Sequence, residues 1–205
     1  MIRAALLRIG IRCSIFYWIE ERSPRNDGAA IPPLPDGFRV RPLTADEVTT
    51  ISRWEAEGAP IAGGEMHQHL AHHAKCIGLL RGDDIVGFSW YTLDRVTSGI
   101  WPVALQPNEA YLFNIYIRPE LRGLKLAPIL RHHTFGMLAD LGRDTCYSIT
   151  LAINKPSWQF KKKLGARKMF TGLHLERIGR WHRSWVIKRE QRDGRTPSDA
   201  NHTTA

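Results

Sequence analysis

A mixed α/β fold, with strands and helices interleaved around one sheet, is what the sequence predicts, and three observations carry it. Stretches such as FRVRPL, IVGFSWYTL and EAYLFNIYIRP alternate or concentrate aromatic and β-branched residues as strands do. Others, such as LAPILRHHTFGMLADLG, repeat apolar positions at helical spacing. The two kinds follow one another with turn signals between them and no internal repeat. At 205 residues the simplest division is one domain with ragged ends, long enough to bury a real core.

The first segment, MIRAALLRIGIRCSIFYWIEE, is apolar but interrupted by Arg3, Arg8 and Arg12, so it falls short of a membrane span, and it lacks the small-residue cleavage site of a signal peptide. It is expected to dock on the domain or on a second subunit, laying Ile15, Phe16, Tyr17 and Trp18 against a sheet edge. Contact with an anionic membrane surface is the other reading. Residues 22 to 37, RSPRNDGAAIPPLPDG, collect prolines, glycines and small polar residues and read as a linker. Residues 1–37 are therefore an extension and linker, 38–190 the compact domain, and 191–205 a disordered tail with almost nothing to bury.

Within the domain, FRVRPL is a strand, and TADEVTTISRWEAEG a helix opened by a capping box between Thr44 and Glu47. A short helix from Gly64 to Ala74 follows, then the hairpin CIGLLRG and IVGFSWYTL about Asp83-Asp84. EAYLFNIYIRP is a central strand stopped by Pro119. The helix from Leu126 to Gly142 carries Pro128 in its first turn, where a missing N–H costs least. Strand CYSITLAI, helix KPSWQFKKKLG ending at Gly165, and strands KMFTGLHLERI and RSWVIKRE complete the order.

A net charge of +9 points toward a negatively charged partner without choosing among nucleic acid, membrane, phosphorylated cofactor and acidic protein. Cys13, Cys76 and Cys146 are too widely spaced for a metal site and too few for a disulfide framework, which fits a reducing cytoplasm. RPELRGLKLA, at positions 118 to 127, is more pointed. A strand end, an arginine, a glycine and a lysine immediately ahead of a helix offer oriented N–H donors and positive charge to an anion such as a diphosphate.

The order of elements resembles the GCN5-related N-acetyltransferase (GNAT) family, and two motifs carry the resemblance. Ile117-Arg118-Pro119-Glu120-Leu121-Arg122-Gly123 and the residues to Ala127 resemble the strand end and Q/R-x-x-G-x-G/A loop of that family. Arg122 and Ala127 match the loop's first and last positions; Lys125 stands at its central glycine. Asn154, Ser157, Phe160, Lys163 and Gly165 resemble the second motif, N-x-x-S/A-x-x-(L/F)-Y-x-K-x-G, with Lys161 where the family has tyrosine. The resemblance covers roughly Phe38 to Arg189.

It implies an α+β domain with a mixed, mostly antiparallel central sheet flanked by helices, an acyl-CoA N-acyltransferase fold. It also implies transfer of an acetyl group from acetyl-CoA to a primary amine by direct attack. The cofactor would be held by Ile115, Tyr116, Ile117, Arg122, Gly123, Leu124, Lys125, Leu126, Ala127, Asn154, Ser157 and Phe160, with an oxyanion donor in the backbone near Ile115 to Ile117. The tyrosine of the second motif often protonates the departing thiolate. Lys161 is the candidate for that place here, set against its reading as one of a solvated run with Lys162 and Lys163.

Proton removal from the amine needs a side chain. Alternation places Tyr111, Phe113, Ile115 and Ile117 on one face, and the candidates are Glu109, the better base, and Tyr111, the better placed. The histidines from His67 to His73 include a zinc-like pair, His69 and His73, but no third ligand in register, and read as a polar helix wall bordering the acceptor; no metal is expected. Between Lys155 and Arg192, Lys and Arg outnumber Glu176 and Glu190 heavily, which the adenosine phosphates or an acidic acyl-carrier protein would explain better than nucleic acid. Two alternatives remain beside N-acetyl transfer. One takes a longer acyl chain from a carrier protein, and the other is a non-catalytic CoA-binding module; an oligomer is compatible with each.

Overall fold

The computed structural model describes residues 10–22, 31–56, 61, 63–96, 98–177 and 181–190. The tail read as disordered, part of the linker and the arginines Arg3 and Arg8 lie outside these residues. The strands are β1 (Ile11–Arg22), β2 (Phe38–Pro42), β3 (Lys75–Arg81), β4 (Asp84–Thr92), β5 (Arg95–Val96), β6 (Val103–Ala104), β7 (Glu109–Ile117), β8 (Thr145–Leu151), β9 (Arg167–Arg177) and β10 (Trp181–Arg189). The helices are α1 (Ala45–Ser52), α2 (Gly63–Ala71), α3 (Leu126–Asp140) and α4 (Lys155–Lys163).

Local signals act where the sequence places them. The Thr44 hydroxyl accepts from Glu47 N at 3.3 Å and Glu47 Oε2 accepts from Thr44 N at 2.9 Å, closing the capping box of α1. Asn154 Oδ1 accepts from Ser157 N at 3.1 Å and caps α4. The carboxylate of Glu47 also takes a bidentate bond from Arg41, which holds its pKa at about 2.

The main sheet runs β10-β9-β1-β8-β7-β4-β3-β2, and all its neighbours are antiparallel except β7 and β8. On one face α3 packs Leu126, Leu130, Phe135 and Leu138 against Ile77, Leu79, Leu112 and Ile117. On the other, α1 and α2 pack Val48, Ile51 and Met66 against Phe88 and Trp90, and the β5–β6 hairpin region covers Phe16, Trp18, Tyr111 and Phe170. This is the mixed, mostly antiparallel sheet with flanking helices that the sequence implied.

The N-terminal segment differs from its expected place. It adds no strand at an edge: β1 lies inside the sheet, pairing Phe16 to Arg22 with β8 on one side and Ile11 to Glu20 with β9 on the other. Phe16 and Trp18 are buried, Tyr17 is half-buried and Ile15 is 46% exposed, so the first two are not available to a lipid surface. The compact unit thus reaches back to Ile11, ahead of Phe38. The end of the linker is docked too: His133 Nε2 lies 3.1 Å from Pro32 O, and Ile31 fills the space beside Gly136 of α3. Proline-rich composition forbids regular structure but not docking of extended backbone.

Gly172 of β9 sits opposite Phe16, and a Cβ there would come within 2.2 Å of the Phe16 ring, which is fully buried and has no room to turn. Gly172→Ala is therefore expected to lower stability by about 1–3 kcal/mol through overpacking. Phe16→Ala should cost about 3–5 kcal/mol, both read from urea unfolding midpoints. Wild-type stability in Phe16→Ala would show that β1 is not part of the folded sheet.

Candidate active site

β7 and β8 are parallel for only three residue pairs, Glu109↔Thr145, Ala110↔Cys146 and Tyr111↔Tyr147. Beyond them the strands part. A cavity of about 680 Å³ opens in the gap, lined on β7 from Tyr111 to Tyr116 and on β8 by Ile149, Thr150 and Leu151. Since Ser148 to Leu151 still pair with Ile19 to Phe16 of β1, the far wall of the slot is held from behind.

A β-bulge shapes the near wall. Between Phe88↔Tyr116 and Trp90↔Phe113 the register shifts, and Asn114 takes φ 47°. The extra residue inverts the alternation. Tyr111 and Phe113 face the α1–α2 side, while Ile115 and Ile117 pack into the α3 core, so the four do not share one face. The expectation of a single face held only for an unbroken strand. Asn114 Nδ2 lies 3.5 Å from His69 Nε2, and the His69 ring packs edge-on to Trp90 and Phe113. Burial pushes the His69 pKa down. The histidine helix is thus an aromatic wall behind the bulge.

At the open end, β7 leads through Pro119–Leu121 to the loop Arg122, Gly123, Leu124 and Lys125, all exposed. Lys125 is the N-cap of α3 in the left-handed conformation, φ 56°, with no side-chain cap, and Pro128 removes one first-turn donor. The amides of Leu126 and Ala127 at this positive helix end suit an anion. Lys125 therefore keeps the left-handed backbone that glycine would adopt freely, and its side chain stays in solvent. The Arg122 guanidinium stands 5.9 Å from the ring of Tyr116, which lines the cavity. Leu126 and Ile117 put their side chains in the core, so only their backbone can meet a ligand. Ala127, Asn154, Ser157 and Phe160 line the cavity as do Ile115 and Tyr116. The donors and the slot fit a coenzyme A diphosphate followed by its extended arm.

The helical phase of α4 decides the lysine run. Ser157, Phe160 and Lys161, spaced i, i+3 and i+4, turn to the cavity, while Lys162 and Lys163 are exposed. Lys161 is 5% exposed. Its Nζ donates to Ser148 Oγ at 2.8 Å, Thr150 Oγ1 at 2.8 Å and Ile149 O at 3.2 Å, and lies 3.7 Å from Glu21 Oε1. Desolvation pushes its pKa down to about 8, with Arg131 acting the same way and Glu21 against it. Glu21 itself is buried, accepts a short bond from the Ser148 hydroxyl, and pairs with Arg131 Nε at 3.5 Å. Burial alone would push the Glu21 carboxyl up, but Arg131, Lys161 and Ser148 outweigh it and hold it below the usual range.

The two expected bases do not fit the part. Glu109 lies at the paired, closed end of the strands, where Oε2 accepts from Gln106 N at 2.9 Å and Oε1 from Tyr147 OH at 3.1 Å; it does not line the cavity. Tyr111 does line it, but burial pushes its phenol well above the ordinary value, and it stacks on Trp18 with centroids 6.0 Å apart. Tyr111 is a wall. The only acidic side chain among the described cavity residues is Glu65, exposed on α2. No local pattern marks it, because Glu65 reaches the slot only through the packing of α2 against β4.

A parallel strand pair that splays into a slot, with the N-terminus of a helix at its mouth, is the architecture that the sequence resemblance implied. The family model for acetyltransferases of the GNAT family matches residues 40–166, and the chain belongs to that family. Solved structures share the fold. A Drosophila melanogaster protein has 17% identity and TM-score 0.58, over 85% of this chain and 55% of its own. A GCN5-related N-acetyltransferase from Kribbella flavida has 12% identity and TM-score 0.55, over 86% and 63%. A tandem GNAT protein from the clavulanic acid biosynthesis pathway has 14% identity and TM-score 0.55, over 89% and 56%. The chain thus spans less than two thirds of the length of these three. No curated protein matches it. Among the described residues no helix is long and apolar enough to cross a membrane.

If the mouth holds a diphosphate, Arg122→Ala should weaken coenzyme A by roughly 1.5–3 kcal/mol in calorimetry, the range for charge-assisted hydrogen bonds. Lys125→Gly should weaken it by only roughly 0.2–1 kcal/mol and flatten its salt dependence, since the ammonium is exposed. Tighter binding by the glycine variant would instead mark Lys125 as an obstruction.

Proposed function

We propose that the protein transfers an acetyl group from acetyl-CoA to a primary amine carried on an apolar acceptor, in the cytoplasm. The observation that carries this is the splay of β7 from β8, with a diphosphate-type mouth at one end and Lys161 buried in its wall. Acetyl-CoA supplies an activated thioester when bound, held by Arg122, the amides from Gly123 to Ala127, Asn154, Ser157 and Phe160. Free Cys13, Cys76 and Cys146 suit a reducing compartment.

The acceptor enters from the α2 side, where Ile61, Met66, Phe88 and Phe113 make an apolar wall around Glu65. The Glu65 carboxylate meets the ammonium and receives its proton, directly or through one water. Lys161 acts on the leaving sulfur. With a pKa of about 8 it is mostly protonated at neutral pH, yet far more acidic than an ordinary lysine, and so suited to give a proton to a thiolate. All three of its N–H groups are engaged, so the proton leaves through, or in place of, the bond to Thr150, which lines the cavity.

Thiol release from acetyl-CoA with a panel of amines tests the assignment. Turnover should be greatest with amines bearing an apolar or aromatic body, and greater than with acyl-carrier protein as donor. Preference for the carrier protein, or release with no amine, would overturn it. Lys161→Met should lower kcat by about 10²-fold or more with coenzyme A affinity little changed. In the wild type the lysine must be protonated to act, so kcat should fall as pH rises through about 8. Glu65→Gln should raise KM for the amine and leave coenzyme A binding intact, as titration of the two substrates separately would show.

A further inference from the structure

The buried carboxylate of Glu21 takes no part in the chemistry so far, and it comes from β1, outside the residues matched by the family. It reaches both helices that follow the slot strands. Oε1 accepts from Ser148 Oγ, which itself accepts from Lys161 Nζ at 2.8 Å, and Oε1 lies 3.7 Å from that nitrogen; Oε2 is 3.5 Å from Arg131 Nε. Glu21 and Arg131 are each 1% exposed and Lys161 is 5% exposed, so little solvent screens the three charges from one another. Without the carboxylate, two cations would face each other in a dry wall of the slot.

We propose that Glu21 is a positioning residue for the transfer reaction: through Ser148 and the ion pair it holds Lys161 protonated and aimed at the slot, against Arg131. This rests on the reading of Lys161 as the proton donor. The groups facing Lys161 come from every element packed on it. Glu21 stands on β1, Arg131 on α3, and Ser148, Thr150 and the Ile149 carbonyl on β8. Cys146 and Tyr111 nearby are both neutral at working pH, because burial pushes each upward. Among these groups Glu21 is the only anion. Its removal therefore shifts Lys161 in one direction, toward the neutral amine.

The discriminating measurement is the pH dependence of kcat, backed by NMR titration of lysine labelled with 13C at Cε, which reports Lys161 without turnover. In Glu21→Gln the alkaline fall of kcat should move to lower pH by at least one unit, so that activity near pH 8 drops about fivefold or more while activity near pH 6 changes much less. The Lys161 resonance should titrate with the same displacement, and Glu21→Asp should largely restore both. If Glu21→Gln does not fold, Glu21→Gln with Arg131→Met removes the orphaned cation as well. Its Lys161 titration should then lie below that of the wild type, since the lost carboxylate acts more strongly on Lys161 than the lost guanidinium. A folded Glu21→Gln whose kcat profile and lysine resonance both stay in place would overturn the proposal. A wild-type profile with no fall near pH 8, together with an active Lys161→Met, would instead remove the role of Lys161 on which it rests.

Discussion

Beyond Tyr147 the strand β8 has left β7, and from Ser148 to Leu151 its ladder runs to β1. Every property of the slot depends on that. A strand with one edge open to a cavity keeps its place only if the other edge is fully paired, because unpaired backbone donors and acceptors in a buried setting each cost a lost hydrogen bond. β1 meets this need and is packed by Phe16 and Trp18 below and Tyr17 and Ile19 above. The same strand carries Glu21 one residue before its end, and the burial of that carboxylate is offset by the cations that α3 and α4 bring to it. The first strand among the described residues thus fastens together the two helices that flank the slot.

The slot has two unlike sides because of one irregular residue. The bulge at Asn114 turns Phe113 toward α2 and Ile115 toward α3, so the cavity passes through the sheet from an apolar, aromatic side to a side with Arg131, Thr150, Ser157 and Lys161. An amine on an apolar body and a phosphate-bearing donor can then approach from opposite faces and meet at the gap. Of the non-glycine residues with positive φ, Asn114 lies on the cavity wall and Lys125 caps the helix at its mouth, while His73 ends the turn after α2. Two of these three positions thus lie at the slot.

Electrostatics separates the two lysines that depart from the family pattern. Lys125 is exposed and screened by solvent. Lys161 is dry, donates three hydrogen bonds and is depressed in pKa, in a wall that supplies its own counter-charge.

By itself the sequence determined what local chemistry controls: the capping box at Thr44 and Glu47, the hairpin of β3 and β4, and the strand, loop and helix around Arg122. It also determined the family, since those motifs lie close along the chain. Motif spacing joined Asn154, Ser157 and Phe160, but left Lys161 between a site residue and a solvated run until its burial was seen. The tertiary structure alone decided which of the charged candidates share a site. Glu109 and Tyr111 sit on the strand that forms the slot, yet one is at its closed end and the other is too deeply buried to ionise. Glu65 and Glu21 lie far from the motifs in sequence and reach the cavity and its wall through packing. The position of β1 was illegible for the same reason. An apolar strand records that it must be buried on both faces, but its neighbours, here the last parts of the fold to be made, are fixed by pairing across more than a hundred residues of chain.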